Sequence, residues 1–205
     1  MPLPALIAVV VFVQFALGIS PKADRMTWAL ENAPVWVGLA ILCFTHRRFP
    51  LSSLCLFLLA IHSLILALGG HYTFAKVPAG DWVRDAFGLA RNHYDRVGHF
   101  AQGFIPAIFV RELLLRKTPL TRGGWLNFLT VSVCLAFSAS YELFEWWTAA
   151  LTGEAASDFL GTQGDPWDTQ WDMFLATLGA ITSLLLLSRA HDASLARLPK
   201  DTTTT

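Results

Sequence analysis

The sequence predicts an all-α fold, a polytopic transmembrane helical bundle of about six spans with a short interfacial helix between spans three and four. Three observations carry that expectation. Of the 205 residues 54% are hydrophobic and only 15% charged, against about a quarter charged in an ordinary soluble domain. The apolar residues are gathered into long runs, each bounded by charges, Pro or Gly. An unpaired backbone group in hydrocarbon costs several kcal/mol, so runs of this length should be helices. Residues 1–190 then form one transmembrane domain, and the polar stretch 191–205, which ends in four threonines, reads as a disordered tail.

The first run, Leu3 to Ile19, lacks a basic leader and is followed by a poor cleavage site at Ile19-Ser20-Pro21, so it reads as a retained anchor. The second, Ala33 to Phe44, is short and spans fully only if it begins near Met26; otherwise it is tilted or partly interfacial. Leu51 to Leu68 is the third. From His71 to Arg96 the chemistry changes. Pro78-Ala79-Gly80 makes a turn and Asp81 is placed to cap a short helix. Trp82, Val83, Ala86, Phe87 and Ala90 share one face of it, opposite Arg84, Asp85 and Arg91, as in a helix lying flat in the membrane interface. Val97 to Leu115, Trp125 to Leu151 and Met173 to Leu187 complete the six. Trp146, Trp147, Trp167 and Trp171 read as an interfacial aromatic belt. Cys43, Cys55 and Cys134 all fall in apolar runs, without disulfide or zinc spacing, and read as small buried residues.

Fifteen basic and fifteen acidic residues cancel, which leaves no global field for nucleic acid and excludes it as an expected partner. With six spans and both termini cytoplasmic, the inner side holds Arg47, Arg48, Arg111, Arg116, Lys117, Arg122, Arg189, Arg197 and Lys200. The outer side holds Lys22, Arg25, Lys76, Arg84, Arg91 and Arg96, and the loop Thr152 to Gln170 has no Lys or Arg. The positive-inside rule favours that orientation, although Lys22 and Arg25 argue locally against it.

Ionisable residues within a membrane bundle are expensive and warrant a functional reading. Here they form four groups, each near a span end. Asp95 and His99 are four apart at the start of span four, with Gln102 and Pro106 continuing that face. Glu142 and Glu145 lie near the far end of span five, with Ser138 one turn earlier. Asp165, Asp168 and Asp172 lead into span six, where Ala176 and Gly179 follow on the Asp168–Asp172 face and would let a neighbouring helix approach closely. His71 and Tyr72 end span three, joined by Asn92 and His93 in the following loop. Threaded through six spans, all four groups reach the same membrane level.

Clustered carboxylates raise one another's pKa unless a proton or cation intervenes. A divalent ion such as zinc, manganese or iron is an economical answer, since carboxylate and imidazole are ordinary ligands for all three. Asp95, His99, Glu142, Asp168 and Asp172 are the candidate metal ligands and Glu145 the candidate general base; His71, His93, Gln102 and Asp165 are further polar site candidates. The bland competitors are helix capping by Asp95, Asp165 or Asp168, packing by His99 or the lone His62, and pairing of the acids with Arg91 and Arg96.

The stretches His71-Tyr-Thr-Phe, Asn92-His-Tyr-Asp-Arg-Val-Gly-His99, Ser140-Tyr-Glu-Leu-Phe-Glu-Trp146 and Leu160-Gly-Thr-Gln-Gly-Asp-Pro-Trp-Asp-Thr-Gln-Trp-Asp172 resemble the YjdF-type bacterial inner-membrane proteins over roughly residues 50–190. The resemblance implies topology and an inner-membrane location, but no reaction. A more distant likeness is to VanZ-like proteins, through Asp95 and His99, Glu142, and Asp172 with Gly179. The sequence departs from them in having Glu145 where Gln is usual and in lacking a basic residue before Asp168.

Three function classes follow. The first is a metal-dependent membrane hydrolase acting on a membrane lipid or a lipid-linked head group. The second is a proton- or cation-coupled transporter, against which the absence of an internal repeat counts. The third is a non-catalytic lipid-binding or accessory protein, whose site would tolerate Glu→Gln changes.

Overall fold

The computed structural model describes residues 3–152 and 162–199. Among them lie seven helices: α1 (Leu3–Gly18), α2 (Arg25–Thr45), α3 (Ser53–Tyr72), α4 (Pro78–Phe87), α5 (Tyr94–Lys117), α6 (Gly124–Thr152) and α7 (Asp168–Leu195), with a 3-10 turn at Phe74–Lys76 and no strand. Four of them, α2, α3, α6 and α7, are long and apolar enough to cross a membrane. The apolar α1 has 16 residues. The 24-residue α5 is long enough, but charged residues crowd both its ends.

Capping explains why the second apolar run becomes a full-length helix. Asp24 Oδ1 accepts from the amides of Met26 (2.8 Å) and Thr27 (3.0 Å), and Oδ2 from the Thr27 hydroxyl (2.6 Å). Two orphan amides are thereby satisfied, so α2 starts at Arg25, well ahead of Ala33, and reaches 21 residues.

The short helix α4 starts earlier than expected. Val77 takes its cap position and Pro78 the first helical place, where a missing N–H costs nothing. Asp81, expected as the cap, lies in the first turn. Its Oδ1 is taken by Arg84 Nη1 (2.8 Å) and Asn92 Nδ2 (3.0 Å), which withdraws it from the helix end.

The expected tail is also partly helical. α7 runs on to Leu195 because His191 is fully buried at its end. Arg111 Nη1 donates to His191 Nδ1 (2.8 Å), and His191 Nε2 donates to Glu112 Oε2 (3.1 Å). Glu112, itself fully buried, also accepts from the Ser52 amide (2.9 Å), the Ser52 hydroxyl (2.6 Å) and Arg116 (2.9 Å). This knot ties the start of α3 to the ends of α5 and α7. Residues 200–205, with Lys200, lie outside the described residues, as does 153–161 of the loop that lacks basic residues.

α5 is the central helix, packed on α3, α6 and α7. Its tightest approach is to α7: a Cβ on Gly103 would overlap the Ala176 carbonyl, and one on Gly179 the Phe100 carbonyl. The small residues expected to admit a neighbouring helix do so. Ala101, Ile105 and Ile108 pack with Leu51, Cys55 and Leu58, while Ala107 and Val110 pack with Cys134 and Ala180. Cys55 and Cys134 are buried as expected, whereas Cys43 is exposed; all three are free thiols.

Candidate functional site

His99 sits one turn from the Gly103–Ala176 contact on α5, and Asp172 one turn from it on α7. The close crossing therefore fixes how far apart the two side chains lie. His99 Nδ1 is 3.0 Å from Gln102 Oε1. With that oxygen as acceptor, Nδ1 carries the hydrogen, and a neutral ring then presents its Nε2 lone pair. On the Nε2 side lie Asp95 Oδ1 at 3.5 Å and Asp172 Oδ2 at 3.8 Å. One ligand atom from each of Asp95, His99 and Asp172 falls within 4.8 Å of the other two.

These separations are too long for hydrogen bonds, which run from about 2.7 to 3.2 Å. They suit two ligands of one ion: at metal–ligand distances of about 2.1 Å, tetrahedral neighbours lie about 3.4 Å apart. All three residues are buried. Asp172 Oδ1 and Glu142 Oε1 are buried without a hydrogen-bond partner, although a buried polar atom ordinarily has one. Glu142 lies on the opposite side of the imidazole, 3.8 Å from Nδ1. Asp95 is not the cap of α5, since His93 holds that position.

The remaining expected residues separate by role. Asp168 Oδ1 accepts from Arg91 (2.6 Å), and Asp165 Oδ2 from Arg96 (2.6 Å) and Arg91 (3.4 Å). Asp168 is thus turned to an arginine although it shares a helical face with Asp172. Asp165 Oδ1 also accepts from the Trp167 amide (2.9 Å), in an Asx turn leading into α7. His71 Nδ1 donates to the Leu17 carbonyl (2.7 Å), and the His71 carbonyl accepts from the amides of Lys22 and Ala23, so His71 fastens the end of α1. The lowered basicity of His93 comes first from burial and then from Arg96 and Arg91 beside it. Asn92 is fully buried; its backbone exchanges hydrogen bonds with the Gln163 side chain (3.1 and 2.9 Å), docking the start of α5 against the loop before α7.

Glu31 belongs to this region and carries no signal in the spacing pattern. It is buried on α2, and its Oε2 accepts from the Tyr141 hydroxyl at 3.1 Å. The Tyr141 ring stands edge-on to His99 with centroids 6.5 Å apart. The one available cue was a carboxylate inside the second run once that run is extended back to Met26. Glu31, Asp95, His99, Gln102, Tyr141 and Glu145 all line one end of a cavity of about 950 Å³. The site is therefore a buried imidazole between carboxylates, open to a large internal space.

Comparison with known proteins gives a family and a relative. A family model described as "Predicted membrane protein (DUF2238)" matches residues 3–193. The chain is 49% identical over 174 residues to the Inner membrane protein YjdF of Escherichia coli (strain K12), covering 85% of this chain and 83% of that one. No solved structure matches. No VanZ-like protein is among these matches.

Proposed function

The chain belongs to the DUF2238 family of predicted membrane proteins, and from its residues we propose that it is a divalent-metal-dependent membrane enzyme, a hydrolase of a lipid or lipid-linked head group. The observation that carries this reading is the grouping of Asp95, His99 and Asp172 ligand atoms within 4.8 Å. Three protein ligands with a fourth position facing a cavity match the pattern of catalytic rather than structural sites.

In this reading Asp95, His99 Nε2 and Asp172 hold the ion, zinc, manganese or iron. The Gln102 side chain holds the imidazole from its Nδ1 side, as second partners of metal-bound histidines do. An ion held there would supply Lewis acidity and lower the pKa of a water. Glu145, one helical turn beyond Glu142 and lining the cavity, would serve as the general base. Asp165 and Asp168 hold Arg91 and Arg96 and keep the entrance of α7 in place.

The membrane frame belongs to the same proposal. We read α1, α2, α3, α5, α6 and α7 as six spans of a bacterial inner-membrane protein, the location printed for the Escherichia coli relative. Burial of α5 among α3, α6 and α7 supports its inclusion, because Asp95 lies beside His99, Arg96 pairs with Asp165, Arg111 with Asp192 and Arg116 with Glu112. Trp82 and Phe87 of α4 are exposed, which suits a helix resting in the interface. With both termini cytoplasmic, the Asp95–His99–Asp172 group faces the periplasmic side and the Glu112–His191 knot the cytoplasmic side.

The test is metal content. Protein purified in mild detergent after metal-replete growth is analysed by mass spectrometry beside an Asp95→Asn/Asp172→Asn double variant, with thermal unfolding to show that the variant is folded. Stoichiometric metal in the wild type and its loss in the folded variant are expected. Metal-free wild-type protein would sink the reading and leave an imidazolium among carboxylates, the arrangement of a proton carrier.

A further inference from the structure

The cavity beside the site is much longer than a head group needs. It extends from Glu31, Asp95 and Glu145 at one end to Arg48 and Lys117 at the other. Along α2, Glu31, Pro34, Gly38, Leu42 and Thr45 line it at helical spacing. Fourteen residues at 1.5 Å each make it about 21 Å long, most of the roughly 30 Å hydrocarbon thickness of a bilayer.

The slot is open on one side. Ile41 and Phe44 of α2 and Phe137 of α6 line it, yet are 54%, 85% and 67% exposed. The mouth therefore lies between α2 and α6, where those side chains face outward. At its polar end the two helices meet through Tyr141 and Glu31. Gly38 lies on the wall with no atom within 4 Å of where its Cβ would stand. Glycine disfavours a helix interior, and no close neighbour requires it here; its effect is to keep the slot wide.

We propose that this slot holds one extended hydrocarbon chain of a membrane lipid, which enters sideways between α2 and α6 and brings its head group to the Asp95–His99–Asp172 end. The proposal rests on the metal-enzyme reading for the chemistry at the head, and it narrows the substrate to an amphiphile drawn from the bilayer. The length of the slot, its apolar wall, its side opening and its junction with the polar site all fit such a chain. A chain moving from lipid into an equally apolar slot gains little from the transfer itself. Selection therefore falls to the polar end, where Glu31, Tyr141 and Glu145 surround the head.

The test uses the full chain in phosphatidylethanolamine vesicles with a trace of the same lipid carrying a diazirine at the end of one acyl chain. After irradiation, labelled residues are mapped by peptide mass spectrometry and metal content is measured on the same samples. Labelling of Leu42, Leu59 and Leu66, which line the slot, at least as heavy as that of the outward-facing Leu185 and Leu186 is the expected result. A Gly38→Trp substitution should cut the slot labelling roughly tenfold, the effect of crowding a ring against the chain, while labelling at Leu185 and Leu186 and the metal content stay unchanged. Wild-type labelling confined to Leu185 and Leu186 overturns the proposal without recourse to the variant, as does slot labelling insensitive to Gly38→Trp. Metal without slot labelling overturns the chain alone; slot labelling without metal supports the chain and overturns the metal enzyme.

Discussion

Gly103→Ala is the smallest change that should open the site without touching a polar group. The added Cβ would stand 2.8 Å from Ala176 Cα and overlap the Ala176 carbonyl. Carbon atoms rest about 3.5 to 4.0 Å apart, so α5 and α7 must part by about 1 Å. His99 Nε2 and Asp172 Oδ2, now 3.8 Å apart one turn away, then move toward roughly 5 Å. Two ligands of one ion at about 2.1 Å cannot be more than about 4.2 Å apart, so the pair can no longer share it. Overpacking should cost about 1–3 kcal/mol of stability, and losing a ligand should weaken metal binding by roughly 100-fold or more. Competition with a chelator in detergent, beside thermal unfolding, reads both effects. Gly38→Ala is the control: with open space around its Cβ it should gain about 0.5 kcal/mol and keep its metal affinity. A Gly103→Ala protein with wild-type metal affinity, or no less stable than Gly38→Ala, would refute the reasoning.

Three other perturbations separate structural acids from the site. Asp168→Asn weakens the shorter of the two carboxylate contacts of Arg91, leaving Asp165, and should lower stability by about 1.5 kcal/mol while metal content is unchanged; loss of metal would return Asp168 to the ligand set. Glu112→Gln, in the buried knot at the other end, should cost about 3 kcal/mol, and denaturation with metal analysis would show stability lost with the site intact. Asp24→Ala should cost about 1 kcal/mol through the lost α2 cap. The Thr27 hydroxyl, then the Thr27 and Met26 amides, hold the Asp24 carboxyl below its ordinary value of 3.8. That contribution is complete above the ordinary value and fades as pH falls through the depressed one. Unfolding curves of the two proteins should therefore differ at neutral pH and converge in strong acid; a difference that persists in acid would count against the cap.

The helices were legible from apolar runs because lipid leaves the backbone no other way to satisfy itself. Their ends were not. Asp24 sets the start of α2 from outside the apolar run, and His191 prolongs α7 through polar residues that composition assigns to a tail. In the site, four-residue spacing placed Asp95 beside His99 and picked out Asp172. The same spacing gave equal weight to Asp168, and the fold selects for it the alternative the sequence left open, pairing with Arg91. Glu31 escaped because a lone carboxylate beside an apolar run looks like a boundary; its partner Tyr141 is 110 residues away. Glu112 and His191, 79 residues apart, were hidden for the same reason.

The tie between α5 and α7 also has a consequence for biogenesis. His99 and Asp172 are separated by 172 − 99 = 73 positions, which a ribosome covers in about 4 to 15 s at 5–20 residues per second. Throughout that interval α5 is made but α7 is not, and Gly103 has no Ala176 carbonyl to rest on. Asp95, His99 and Glu112 must wait in the nascent chain for partners carried by the last described helix. A chain stalled before residue 168 would lack the α7 side of both clusters, one at each end of α5, and so leave Asp95 and Glu112, buried in the finished protein, uncovered on that side.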